Sequence, residues 1–60
     1  MTVKYGRMYC FMGRNTAKLT AYSMTKEHGT EHIVLQRNKA FGVIKESDKE
    51  PYLKAGWKEI

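Results

Sequence analysis

Two short clusters and one tryptophan in this chain have the residue types and spacing to meet an anion. The first cluster is Gly13-Arg14-Asn15-Thr16-Ala17-Lys18. A segment like this between a strand and a helix presents free backbone N–H groups and the positive end of the helix dipole, where anions bind. Gly13 permits close approach of the backbone. Arg14 supplies a fork of donors, Asn15 and Thr16 polar side chains, and Lys18 a further charge. The segment lacks the longer glycine loop ending in Gly-Lys-Ser/Thr of a Walker motif, so an ordinary capped turn is the alternative. The second cluster is the alternating set Tyr5, Arg7, Tyr9 and Phe11. Alternate residues of a strand share a face, and on an open face aromatics stack on bases while arginine meets phosphate. The glycine-aromatic consensus of RNA-recognition motifs is missing, and packing in a core or dimer interface is the alternative. Trp57, beside Gly56, is either the main core anchor or a stacking anchor for a base.

Other chemistries find less support. His28 and His32 are four apart, but Gly29 breaks a helix between them, and no second cysteine stands near to complete a metal site. His28 reads as a helix-end residue and His32 as a strand-start residue. Cys10 is the single cysteine, so it forms no internal disulfide and reads as a small buried side chain. Arg37 and Lys39 flank a turn and extend a positive surface with Lys45. Lys49, Lys54 and Lys58 alternate with Asp48, Glu50 and Glu59 and read as a solvated face. No Ser/His/Asp set or paired-carboxylate motif stands out, and a catalytic site needs supporting residues that so short a chain can hardly spare. A non-enzymatic protein with no cofactor is expected.

The elements that must position these residues come from 60 residues, 42% of them hydrophobic, enough for one small core and against global disorder. The chain begins at Met1 and is expected to be one complete domain, residues 1–60. No apolar run approaches a membrane span and no signal-peptide core is visible, so a cytoplasmic protein without membrane contact is expected. Eleven Lys and Arg against six Asp and Glu leave a net charge of +5, which favours nucleic acid, nucleotides, an anionic membrane or an acidic protein as partner, with basicity for solubility alone as the alternative.

Residues 3–12 read as the first strand, with Val3, Tyr5, Arg7, Tyr9 and Phe11 on one face and Lys4, Gly6, Met8, Cys10 and Met12 on the other. Residues 16–28 read as a helix capped by Asn15 or Thr16 and ended by Gly29, with Ala17, Ala21, Met24 and His28 at helical spacing and Leu19 and Tyr22 on a neighbouring stripe. A strand over 18–25 is the competing assignment, on the strand propensity of Thr20, Tyr22 and Thr25. Residues 32–37 and 41–45 form a hairpin about Asn38-Lys39. Ser47 to Glu50 has capping-box spacing for a short helix to about Ala55, starting near Glu50, and Trp57 to Ile60 forms a last short strand. The order β-α-β-β-α-(β) predicts an α+β fold, a small two-layer sandwich of ferredoxin-like or split β-α-β type, with both helices on one sheet face. The other face is then open or buried by a second copy, so a homo-oligomer is expected.

In its length, its basic charge and its want of an enzyme motif, the chain resembles the short accessory proteins that bacteriophages make to block host functions. The resemblance covers the whole chain and transfers no functional residue. It implies, in the host cytoplasm, binding to a host protein or a nucleic acid, or sequestration of a nucleotide-like immune signal. Two function classes follow: a module for an anionic ligand (nucleotide or nucleic acid), and a protein-binding inhibitor or adaptor that uses an exposed sheet face. In both, folding needs no metal, because one cysteine and two separated histidines supply too few soft ligands. Incubation with a chelator is expected to leave the thermal unfolding midpoint unchanged in a calorimetric scan.

Overall fold

A computed structural model describes the backbone of residues 3–60 and the side chains of residues 6–60. Its elements are β1 (Val3–Tyr5), β2 (Met8–Phe11), α1 (Arg14–His28), β3 (His32–Arg37), β4 (Ala40–Lys45), a 3₁₀ turn (Glu46–Asp48), α2 (Glu50–Lys54) and β5 (Lys58–Glu59). The strands form one antiparallel sheet in the order β1-β2-β4-β3-β5. β2 and β3 each lie antiparallel to β4, so they run parallel to one another with β4 between them and α1 as the crossover. This is a split β-α-β unit; the α+β class is as the sequence predicts, and so is the order of helices and strands from β2 onward.

The first predicted strand is in fact a hairpin. Gly6 takes φ 63 and the chain reverses over Gly6-Arg7, pairing Tyr5 with Met8. Glycine at the first central position with positive φ suits the sense of twist that two-residue hairpins require. Tyr52 secures the turn, because its hydroxyl oxygen accepts the Arg7 N–H at 2.9 Å. The reversal also changes which positions share a face. Cross-strand partners project together, so the Tyr5 position falls with Met8 and Cys10, opposite to Tyr9 and Phe11. The stripe from Tyr5 to Phe11 is therefore broken after Tyr5, whose side chain lies outside the described residues.

α1 starts two residues earlier than predicted. Gly13, in extended conformation, is its N-cap, and neither Asn15 nor Thr16 makes a side-chain cap bond. The helix, not the alternative strand, occupies 16–28, and Gly29 ends it at φ 70 by donating its N–H to Thr25 O. Ala17 and Ala21 are buried against Val34 and Val43, with Phe11, Met24 and Phe41 at the margin. Two alanines at i, i+4 let the helix axis approach the sheet closely. Leu19 and Tyr22, the neighbouring stripe, are exposed on the outer side of the helix, where Lys26 Nζ stands 4.7 Å from the Tyr22 ring centroid.

The expectation of both helices on one face is not met. Met8, Ile33, Leu35, Ile44 and Trp57 form a second cluster on the sheet face away from α1, with Tyr52 and Leu53 of α2 packed on it. Ile33 pairs with Ile44 and Leu35 with Gly42, in alternate register with the Val34–Val43 pair beneath α1. The C-terminal segment thus covers the face that was expected to be open. The predicted capping box is also replaced. Glu46 to Asp48 makes a 3₁₀ turn, Lys49 is the α2 N-cap without a side-chain cap bond, and Pro51 sits in the first turn, where its missing N–H costs nothing. The Lys49 ammonium donates to Glu46 (2.6 Å) and Glu59 (3.3 Å), tying the turn to β5. Those bonds, Glu46 first, raise the Lys49 pKa. The stabilisation is therefore present below the ordinary lysine range and is lost as pH rises through the raised value. Among the described residues no helix is long and apolar enough to cross a membrane.

Gly42 is the tightest point of the second cluster. A Cβ built there would collide with Sδ and Cγ of Met8, which is fully buried. Gly42→Ala forces Met8 off its packed position and is expected to lower stability by about 1–3 kcal/mol, read as a reduced midpoint at unchanged slope in urea. A variant as stable as the wild type would show that Met8 does not need that space.

Candidate functional site

The residues singled out in sequence do not gather in one place. Gly13 caps α1, and Arg14, Asn15, Thr16 and Lys18 are exposed around the helix N-terminus. Arg7 and Tyr9 lie at the other end of that helix, beside Met24 and His28. A helix of 15 residues is roughly 22 Å long, so the glycine-arginine turn and the Arg7–Tyr9 pair are separate. Trp57 is buried on the opposite sheet face, 7% exposed. It is a core anchor and cannot stack on a ligand at either place. Its Nε1 has no hydrogen-bond partner among the described residues, a cost that the packing of the indole must outweigh.

What the fold does assemble is a cleft of about 380 Å³ where the C-terminal end of α1 meets the sheet. Arg7 enters from the β1–β2 turn, Tyr9 from β2, Met24 and His28 from α1, His32 from β3, Lys45 from the end of β4 and Asp48 from the 3₁₀ turn. Tyr9, Met24 and Val43 supply a partly apolar floor. Two fixed cations and two imidazoles stand around it, with Asp48 the single carboxylate among the lining residues. Arg7 Nη1 lies 3.3 Å from Asp48 Oδ1. Both are solvated to different degrees, Arg7 at 77% side-chain exposure, so the pair is weak and open to exchange.

The histidines are held by the helix end. Thr25 Oγ1 donates to Ala21 O and accepts the His32 N–H, both at 2.9 Å, which locks the last turn of α1 to the first residue of β3. His32 is 8% exposed, and its Nδ1 lies 2.9 Å from Thr30 O. A carbonyl can only accept, so that nitrogen carries the proton and leaves Nε2 as the other polar atom of the ring. The His28 and His32 ring centroids are 5.7 Å apart. Sequence spacing put the two on separate elements, and they do occupy separate elements; the αL reversal at Gly29 turns the chain back and brings the rings together. The only sequence signal for this was the His-x₃-His spacing across a glycine. Among the described residues no group of three or more His, Cys, Asp or Glu is placed to hold a metal ion.

The remaining basic residues are dispersed. Arg37 and Lys39 are exposed at the β3–β4 turn, where Asn38 has φ 54, and Lys54 and Lys58 are exposed near the C-terminus. No protein-family model, curated protein or solved structure matches the chain.

Cys10 lies half-buried on the second face, beside the Met8 cluster, and burial pushes its thiol pKa up. The thiolate is the reactive form, so alkylation by iodoacetamide at neutral pH is expected to run slower than that of N-acetylcysteine. The rate should climb about tenfold per pH unit through the mildly alkaline range. Equal rates for the two thiols would show that Cys10 is not shielded.

Proposed function

We propose that this protein is a non-enzymatic binding module that takes a small phosphate-bearing ligand in the cleft at the C-terminal end of α1. The observation that carries the reading is the convergence there of Arg7, Lys45, His28 and His32 from four different elements over a half-apolar floor. A concave site of this size, with several polar groups converging over a partly apolar floor, can hold a small charged molecule. The net charge of +5 steers anions toward it. The helix contributes its negative end here, so the attraction comes from the side chains and not from backbone N–H groups. Arg7 exchanges its exposed bond to Asp48 for the ligand, and the carboxylate then faces Lys45 or a ligand donor. A concave cleft suits one ligand molecule better than a nucleic-acid strand, which asks for an extended basic groove. A protein that sequesters a nucleotide signal without turning it over needs no more than such a site. The alternative role, docking a protein on an open sheet face, is less favoured, because a packed cluster covers part of each face of the sheet. The same covering weakens the argument for a second copy.

Calorimetric titration with ribose 5-phosphate at low salt tests the reading. Arg7→Ala removes a charge-assisted contact of roughly 1.5–3 kcal/mol and is expected to weaken binding by about one to two powers of ten. Lys45→Ala should cost less, since lysine acts as a single mobile charge. Lys54→Ala, exposed on α2, should match the wild type. Equal losses in all three would mean diffuse attraction without a site, and no heat from the wild type would dispose of the cleft as a phosphate site.

A further inference from the structure

The cationic cleft does not end at its floor. A second groove, of about 400 Å³, is lined by Tyr9, Phe11, Thr20 and Met24. Tyr9 and Met24 line both. The two cavities therefore adjoin along a furrow between β2 and α1 with Tyr9 and Met24 at their boundary, the one charged where Arg7 and His28 stand and the other apolar where Phe11 and Thr20 stand. The cause is local. Tyr9 and Phe11 are alternate residues of β2 on the α1 side, about 7 Å apart along the strand, while Thr20, Met24 and His28 recur along one flank of α1. The small inward residues Ala17 and Ala21 bring the helix near the centre of the sheet and leave the flank above β2 unfilled.

We infer that the furrow takes a nucleoside monophosphate, with the phosphate among Arg7, Lys45, His28 and His32 and the base in the apolar groove against Phe11 and Tyr9. This rests on the phosphate reading of the cleft and adds the class of group attached to the phosphate. Four properties of the furrow select it. The two halves have opposite character and share a wall, so a ligand that fills both carries an anion and an apolar group in one molecule. The apolar half is bounded by two aromatic rings and a thioether, which pack well on a flat π-face. Thr20 places one hydroxyl beside that half, able to donate to or accept from a ring nitrogen or a ribose oxygen. Asp48, the carboxylate of the charged half, repels additional phosphates, which favours a monophosphate over a triphosphate.

The test compares four probes on the full chain by calorimetry: inorganic phosphate, ribose 5-phosphate, adenosine 5′-monophosphate and octyl phosphate. Adenosine 5′-monophosphate is expected to bind at least about tenfold more tightly than ribose 5-phosphate, the scale of one base stacked on a side chain. Thr20→Trp, at a half-buried position on the helix flank, fills the apolar groove from outside the core. It is expected to bring adenosine 5′-monophosphate down to the level at which the same variant binds ribose 5-phosphate. Phe11→Leu keeps the apolar volume but removes the ring, and should reproduce most of that loss in a variant with native circular dichroism. If ribose 5-phosphate binds and the base adds nothing, the inference falls while the phosphate site stands. Octyl phosphate binding as tightly as adenosine 5′-monophosphate would overturn the inference in favour of an alkyl tail. If none of the four probes binds, both the inference and the phosphate reading fail.

Discussion

The packing of Met8 over Gly42 is the contact on which the arrangement of this protein turns. β4 is the central strand, paired to β2 on one side and β3 on the other. At its middle it presents no side chain to the second face, and Met8, fully buried, occupies that space. The contact pins β2 to β4 in one register, because a slip of one residue would carry the whole strand's side chains to the opposite face. With the register set, Met8 and Cys10 point toward α2 and Trp57, and Tyr9 and Phe11 point toward α1. Arg7 is then left at the turn that overhangs the end of the helix. The furrow and its charged end are consequences of that register.

A chain of 60 residues has little material to cover both sides of a five-stranded sheet, and it does so unequally. On one side a single helix lies close through two alanines, and its flank leaves a gap. On the other a one-turn helix, a tryptophan and a short strand complete the cover, assisted by Lys49 bridging Glu46 and Glu59. Small domains bury a modest share of their surface, and here the shortage shows as exposed Leu19 and Tyr22 on the helix and as the unfilled furrow beside it. The second has cations at one end. Arg7 links the two halves of the design. Its backbone is held by Tyr52 from the second face and its side chain by Asp48 at the mouth of the cleft on the first.

Much of this was legible in residues 13–45. The period of Ala17, Ala21, Met24 and His28, followed by Gly29, favours a helix and marks its end. The strand propensity of Thr20, Tyr22 and Thr25 left a strand in competition until the packing of Ala17 and Ala21 on the sheet decided it. The apolar run Ile33-Val34-Leu35, the Asn38-Lys39 turn and the return through Val43 and Ile44 determine a buried hairpin, and with the helix they determine an α+β chain. These are local facts, set by periodicity and turn chemistry within a dozen residues.

Tertiary structure decided the rest, because it depends on contacts between distant residues. Gly6 in an apolar run is compatible with a long strand or a reversal. The choice was made by β4, too short to pair with ten residues, and by Tyr52, forty-five positions away, accepting the Arg7 N–H. That reversal moved Tyr5 off the Tyr9 face and divided a stripe that alternation alone presented as continuous. The face that α2 covers, and the burial of Trp57 there, depend on which side of the sheet the chain crosses after Lys45, and no periodicity records that. The cleft gathers Arg7, Tyr9, His28, His32, Lys45 and Asp48 from six places in the chain. Spacing in sequence pairs Arg7 with Tyr9 and His28 with His32 but does not record the full set, since only the closing of the sheet and the docking of its helix bring those six around one cleft.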